Sequence, residues 1–116
     1  MNKNTILIVG LGNPGEQYAA SPHNAGFLVV DELITNCQLL ITNYPKLKSE
    51  VSEGKIGSKK IILAKPQTFI NKSGEAVKAL ITNYKLTNTN PWIIHDDIDL
   101  ELGKIKIVRN RGSAGH

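Results

Sequence analysis

The apolar positions of the chain fall into two patterns, short unbroken runs and longer stripes of helical period. Thr5-Ile6-Leu7-Ile8-Val9 is a continuous run that stops at Gly10, as in a strand covered on both faces. Trp92-Ile93-Ile94 reads as a second buried strand. Between them, Glu50 to Lys55 and Lys59 to Lys65 are strand-like stretches joined by a turn at Gly57-Ser58. Pro66 is expected to stop the second of these, because its ring nitrogen cannot donate to a central ladder. Phe27, Val30, Leu33 and Ile34 recur at helical spacing and predict a helix to about Cys37, with Ser21 as its cap and Pro22 at its first position. Ala76, Val77, Leu80, Ile81 and Tyr84 predict a second helix, capped by Ser73, with Glu75 in the first turn where the dipole favours an acid. Lys104 to Val108 alternates basic and apolar and predicts a half-exposed strand; Arg109 to His116 reads as a glycine-containing loop. Gln38 to Ser49 predicts no definite element. This order of elements predicts an α/β sandwich around a mixed sheet.

Composition narrows the class without changing that picture. With 116 residues, 41% of them hydrophobic and 21% charged, the chain suits one globular domain. No apolar run approaches the roughly 20 residues that span a bilayer. The first five residues lead straight into a strand-like run, without the regions of a signal peptide. A single cysteine, Cys37, excludes an internal disulfide and fits a reducing compartment, so a cytoplasmic location is expected. The formal net charge of +4 is modest, but Lys104, Lys106, Arg109 and Arg111 share one short segment. Such a segment suits either a charge-protected edge strand or a surface contacting phosphates.

Candidate chemistry lies in the loops that leave the strands. Gly10-Leu11-Gly12-Asn13-Pro14-Gly15 matches the spacing of a dinucleotide-binding turn. A helix opened at that turn would carry Pro22 in its interior, at a cost of about 3 kcal/mol. No acidic residue closes a second buried strand about 20 residues further on, as that fold requires. The better reading is a strand, a long polar loop and a helix starting at Pro22. His23 then sits in a first turn, where the dipole disfavours the imidazolium and keeps the ring able to accept a proton. Asp96, at the end of the tryptophan-containing strand, is the best candidate to orient that ring and stabilise its charged form. Together they would form a general-base dyad acting on water. Asn13 and Asn71 follow strands and offer carboxamide donors for a carbonyl or its oxyanion. Open α/β sheets bind ligands beyond the carboxyl ends of their strands, where Asn13, Asn71 and Asp96 all belong. A divalent ion on His95, Asp96, Asp97 and Asp99 is the rival, but neighbours along an extended segment point to opposite faces. Ser113 lacks the surroundings of a nucleophile elbow.

Four segments, taken jointly, make the chain resemble the bacterial-type peptidyl-tRNA hydrolase family. They are Ile8-Val9-Gly10-Leu11-Gly12-Asn13-Pro14-Gly15 with Tyr18; His23-Asn24-Ala25-Gly26; Lys65-Pro66-Gln67-Thr68-Phe69-Ile70-Asn71 with Ser73-Gly74; and His95-Asp96-Asp97-Ile98-Asp99-Leu100 leading to Gly112-Ser113-Ala114-Gly115-His116. The resemblance implies a three-layer α/β/α fold with a mixed, mostly parallel central sheet, incomplete at the C-terminus. It implies a metal-free, cofactor-free esterase that cleaves the bond between a peptide and the 3′ ribose of tRNA, with peptidyl-tRNA as partner and a monomeric state. His23 matches the family's base and Asp96 the residue that orients it. Asn13 and Asn71 match its substrate-positioning asparagines; Tyr18, Phe69 and Ile70 fall with its substrate-binding positions. The basic strand then leans towards tRNA contact through Lys104, Lys106, Arg109 and Arg111. Pro22 stands where many members carry arginine, and Ile70 where many carry methionine. The family pattern continues past His116 with Asn-Gly and further elements, so residues 1–116 are expected to be one domain forming the N-terminal portion of a longer enzyme. A non-catalytic RNA-binding module on the same fold is the alternative; the intact set Asn13, His23, Asn71 and Asp96 speaks against it.

Overall fold

The computed structural model describes residues 4–15, 24–69, 72–86, 91–96 and 105–109, with only the backbone described for Asp96 and for 105–109. The elements run β1 (Thr5–Gly10), α1 (Ala25–Asn36), β2 (Thr42–Tyr44), a 3-10 turn (Pro45–Leu47), β3 (Ser49–Ile56), β4 (Lys59–Pro66), α2 (Ser73–Asn83), β5 (Trp92–Asp96) and β6 (Ile105–Arg109). The six strands form one sheet in the order β2-β3-β4-β1-β5-β6.

Side-chain alternation along the central strands explains the layers. Leu7 and Val9 of β1 and Ile62 and Ala64 of β4 turn to one face and pack with Val77 and Leu80 of α2. Ile6 and Ile8, with Ile61 and Leu63, turn to the other and pack with Val30 and Ile34 of α1. Both faces of β1 and β4 are therefore covered, which is why their sequences read as unbroken apolar runs. The result is the expected three-layer arrangement with a mixed sheet.

That sheet is not mostly parallel. β1 pairs in parallel with β4 and with β5, whereas β2–β3, β3–β4 and β5–β6 are antiparallel. Short connections decide this: a two-residue turn between β3 and β4, with Gly57 at a positive φ of 62°, can only reverse the chain.

Several boundaries also move. Pro66 is the last residue of β4, in register with Ser49. Its missing N–H costs no ladder bond there, because pairing with β1 ends at Val9–Ala64. Ser73 is the first helical residue of α2 and not its cap; Lys72 holds the cap position without a side-chain bond. The carboxylate of Glu75 lies 2.7 Å from the ammonium of Lys48, and this hydrogen bond holds the Glu75 carboxyl below its ordinary range. β2, within the stretch that predicts no element, has three exposed residues and hence no apolar signal. Trp92 opens β5 at 37% exposed, and of the side chains described in that strand Ile94 alone is buried. The expected cap at Ser21 and helix start at Pro22 lie outside the described residues.

Backbone contact fixes how α1 sits. A Cβ on Gly26 would collide with the carbonyl oxygen of Ile94 and the backbone of Leu11; one on Gly10 would collide with the carbonyl of Gly26. The start of α1 thus lies directly on the ends of β1 and β5, with no side chain between.

Candidate functional site

Parallel pairing places the carboxyl ends of β4, β1 and β5 side by side along one edge. The three segments that the sequence marks for chemistry all leave from that edge. Gly10 is in register with Ile94, and the next residue, Leu11, donates its N–H to the Ile94 carbonyl at 2.9 Å. The loop bearing Asn13 therefore departs beside the last two residues of β5, His95 and Asp96. Phe69 lies three residues beyond β4, half exposed, with its carbonyl accepting from the N–H of Lys72 at 2.8 Å.

An open groove of about 380 Å³ lies at this edge on the α1 face, and Asn13, Asn24, Phe27, Asp31, Glu50 and Lys65 are among its lining residues. Its floor carries a partly buried cation. The Lys65 ammonium, whose side chain is only 12% exposed, lies 2.6 Å from Asp31 and 3.4 Å from Glu50. It also sits 5.5 Å from the centre of the Phe27 ring, within the range of a cation–π contact. Two carboxylates against one ammonium leave the groove wall acidic by one charge. Asp31, Glu50 and Lys65 come from α1, β3 and β4, so nothing in sequence proximity announces the cluster.

Asn24 is a further residue of the groove that sequence reasoning missed, although it sits within the segment His23-Asn24-Ala25-Gly26. Its side chain is buried and bonds both backbone groups of Asn13, accepting from the N–H at 2.9 Å and donating to the carbonyl at 3.0 Å.

The candidate residues separate into three groups. Asn13, Phe69 and the backbone of Asp96 stand on the common edge. His23, Tyr18, Ile70, Asn71, Lys104 and Arg111 lie outside the described residues. Lys106 and Arg109 belong to β6, in register with His95 and Trp92 respectively. They stand three strand steps apart, about 10 Å, so the basic segment is spread along a sheet edge. Among the described residues no group of three or more His, Cys, Asp or Glu side chains could hold a metal ion. No helix among them is long and apolar enough to cross a membrane.

Fold and site together define an α/β protein whose polar groove opens where the central parallel strands end, the place such sheets reserve for ligands. The profile of the family described as peptidyl-tRNA hydrolase matches residues 7–116, and the chain belongs to that family. It is 48% identical over 110 residues to a peptidyl-tRNA hydrolase of Thermoanaerobacter sp. (strain X514), covering 95% of this chain and 59% of that one. Against the peptidyl-tRNA hydrolase of Carboxydothermus hydrogenoformans it is 50% identical over 110 residues, covering 95% and 58%. A crystal structure of peptidyl-tRNA hydrolase from Acinetobacter baumannii superposes with a TM-score of 0.82 at 34% identity, over 99% of this chain and 60% of that one. The chain thus spans about three fifths of the length of these relatives.

Proposed function

We propose that the chain carries the hydrolytic site of a peptidyl-tRNA hydrolase and cleaves the ester between a peptide's terminal carbonyl and the 3′ ribose of tRNA. His23 takes a proton from water, and the oxygen so activated attacks the ester carbonyl. Asp96 holds the imidazole in the productive tautomer and stabilises its charged form. Asn13 and Asn71 donate to the carbonyl as it becomes an oxyanion, a contact whose loss typically costs about 3 kcal/mol of transition-state stabilisation. The ribose oxygen leaves with the proton from the imidazolium. Tyr18, Phe69 and Ile70 line the path of the peptidyl end, and Lys104, Lys106, Arg109 and Arg111 meet tRNA phosphates. The catalyst acts as a monomer.

One observation carries this reading. The loop of Asn13, the segment leading to Asn71 and the backbone of Asp96 all leave the sheet at the same edge, because β1 is parallel to both of its neighbours. Segments far apart in sequence leave from one edge only through that pairing.

The test is cleavage of a peptidyl-tRNA by this chain and by one extended to the length of its relatives. His23→Ala should abolish turnover in the active protein while tRNA affinity is largely kept. Normal turnover by His23→Ala would refute the dyad. Salt-dependent tRNA binding without any ester cleavage by the extended wild-type chain would favour a non-catalytic RNA-binding module.

A further inference from the structure

A buried carboxamide is costly unless its donors and acceptor are used. Asn24 is 3% exposed and spends both ends of its amide on one residue eleven positions earlier in the chain. We propose that Asn24 is the positioning residue of the site, setting the placement of Asn13 through that residue's backbone. This inference rests on the role given to Asn13 above.

The geometry is restrictive. The Asn24 Oδ1 accepts from the Asn13 N–H and its Nδ2 donates to the Asn13 carbonyl, so the groups on both sides of the Asn13 Cα are held by one rigid plane. A short amide offers a donor and an acceptor on two atoms of one plane, whereas the isosteric carboxylate offers acceptors only. With both flanks fixed, the backbone that carries the Asn13 carboxamide is held in place.

Neighbouring contacts leave the loop no other course. The Leu11 N–H is committed to β5 through Ile94. A Cβ at Gly12 would meet the Phe27 Cγ at 2.8 Å and the Asn24 Oδ1 at 3.0 Å, so the backbone there lies directly against α1's first residues. Asn24 is also joined through the chain to His23. The residue that follows the proposed base in sequence is thus the one that grips the backbone of the proposed oxyanion donor.

The experiment compares wild type, Asn24→Ala and Asn24→Asp, each also in an Asn13→Ala background, in the chain that hydrolyses peptidyl-tRNA. Asn24→Asp keeps an acceptor for the Asn13 N–H but sets a carboxylate oxygen against its carbonyl. Displacing a donor by a fraction of an ångström should lower kcat by roughly 10- to 100-fold while KM moves about twofold or less. In the Asn13→Ala background the same changes should cost almost nothing further. Hydrogen exchange at the Asn13 amide should quicken in Asn24→Ala, a readout that does not need activity. Unchanged kcat with wild-type turnover intact, or losses that simply add to those of Asn13→Ala, would overturn the proposal. So would failure of both Asn24 variants to fold, since the residue would then hold the fold and not the site. An inactive wild type with quickened exchange in Asn24→Ala would instead remove the functional reading and leave the clamp standing.

Discussion

Gly26 shows how one missing side chain sets the position of a helix. Alanine is the better helix former by about 1 kcal/mol. At this position its Cβ would strike the Ile94 carbonyl and the Leu11 backbone, neither of which can swing aside. The collision outweighs the propensity, so Gly26→Ala should destabilise by about 3 kcal/mol, read from the urea midpoint at constant m-value. Gly54→Ala is the control: its Cβ would meet only the Leu39 side chain, which can turn away, and the loss should be much smaller. Equal losses at the two glycines would contradict this account. The glycines near the end of β1 were legible as a spacing but not as a cause. A turn made for a dinucleotide and a helix start laid on a strand end share the same letters, and Pro22 was what favoured the second in the sequence. The Asn24 clamp was not legible at all, because a side-chain bond to a distant backbone leaves no pattern in composition or period.

The helical stripes and the central strands were read with little error, because packing on both faces imposes a strong period. Leu80 is fully buried between α2 and the sheet. Leu80→Ala should cost about 2–5 kcal/mol in chemical unfolding, whereas Leu40→Ala, at 86% exposed, should stay within about 0.5 kcal/mol. Similar effects at both would show that the described core is misassigned. Elements decided by hydrogen bonding and not by burial escaped. β2 buries nothing, Pro66 was tolerated because β1 had already ended, and Ser73 lies one residue inside the helix it was expected to cap. The antiparallel majority of the pairings follows from turn lengths at the sheet's edges, whereas the apolar runs report only the parallel centre.

Across the folded domain, alkaline stability should turn on Tyr84. Burial, reinforced by the charge of Glu53 facing it, pushes its phenol from the ordinary 10 up to about 12. The folded state then holds the phenolic proton more tightly than the unfolded chain. That contribution is fully present below about pH 10 and fades as pH rises towards about 12. Urea midpoints measured across this window should fall for wild type and fall less steeply for Tyr84→Phe; parallel curves would contradict the assignment. At the same level of organisation the candidate site exists only because the sheet gathers separate loops. Candidates for it can be put forward from motif and chemistry, but the Lys65–Asp31–Glu50 cluster could not, since three elements meet there only after folding. The central claim is that His23 and Asp96 act as one unit at this edge. A double-mutant cycle on peptidyl-tRNA cleavage by wild type, His23→Ala, Asp96→Ala and the double variant tests it most directly. The account predicts a loss of roughly 100-fold or more for each single change, and a double variant scarcely slower than His23→Ala alone. Losses that multiply independently would contradict it.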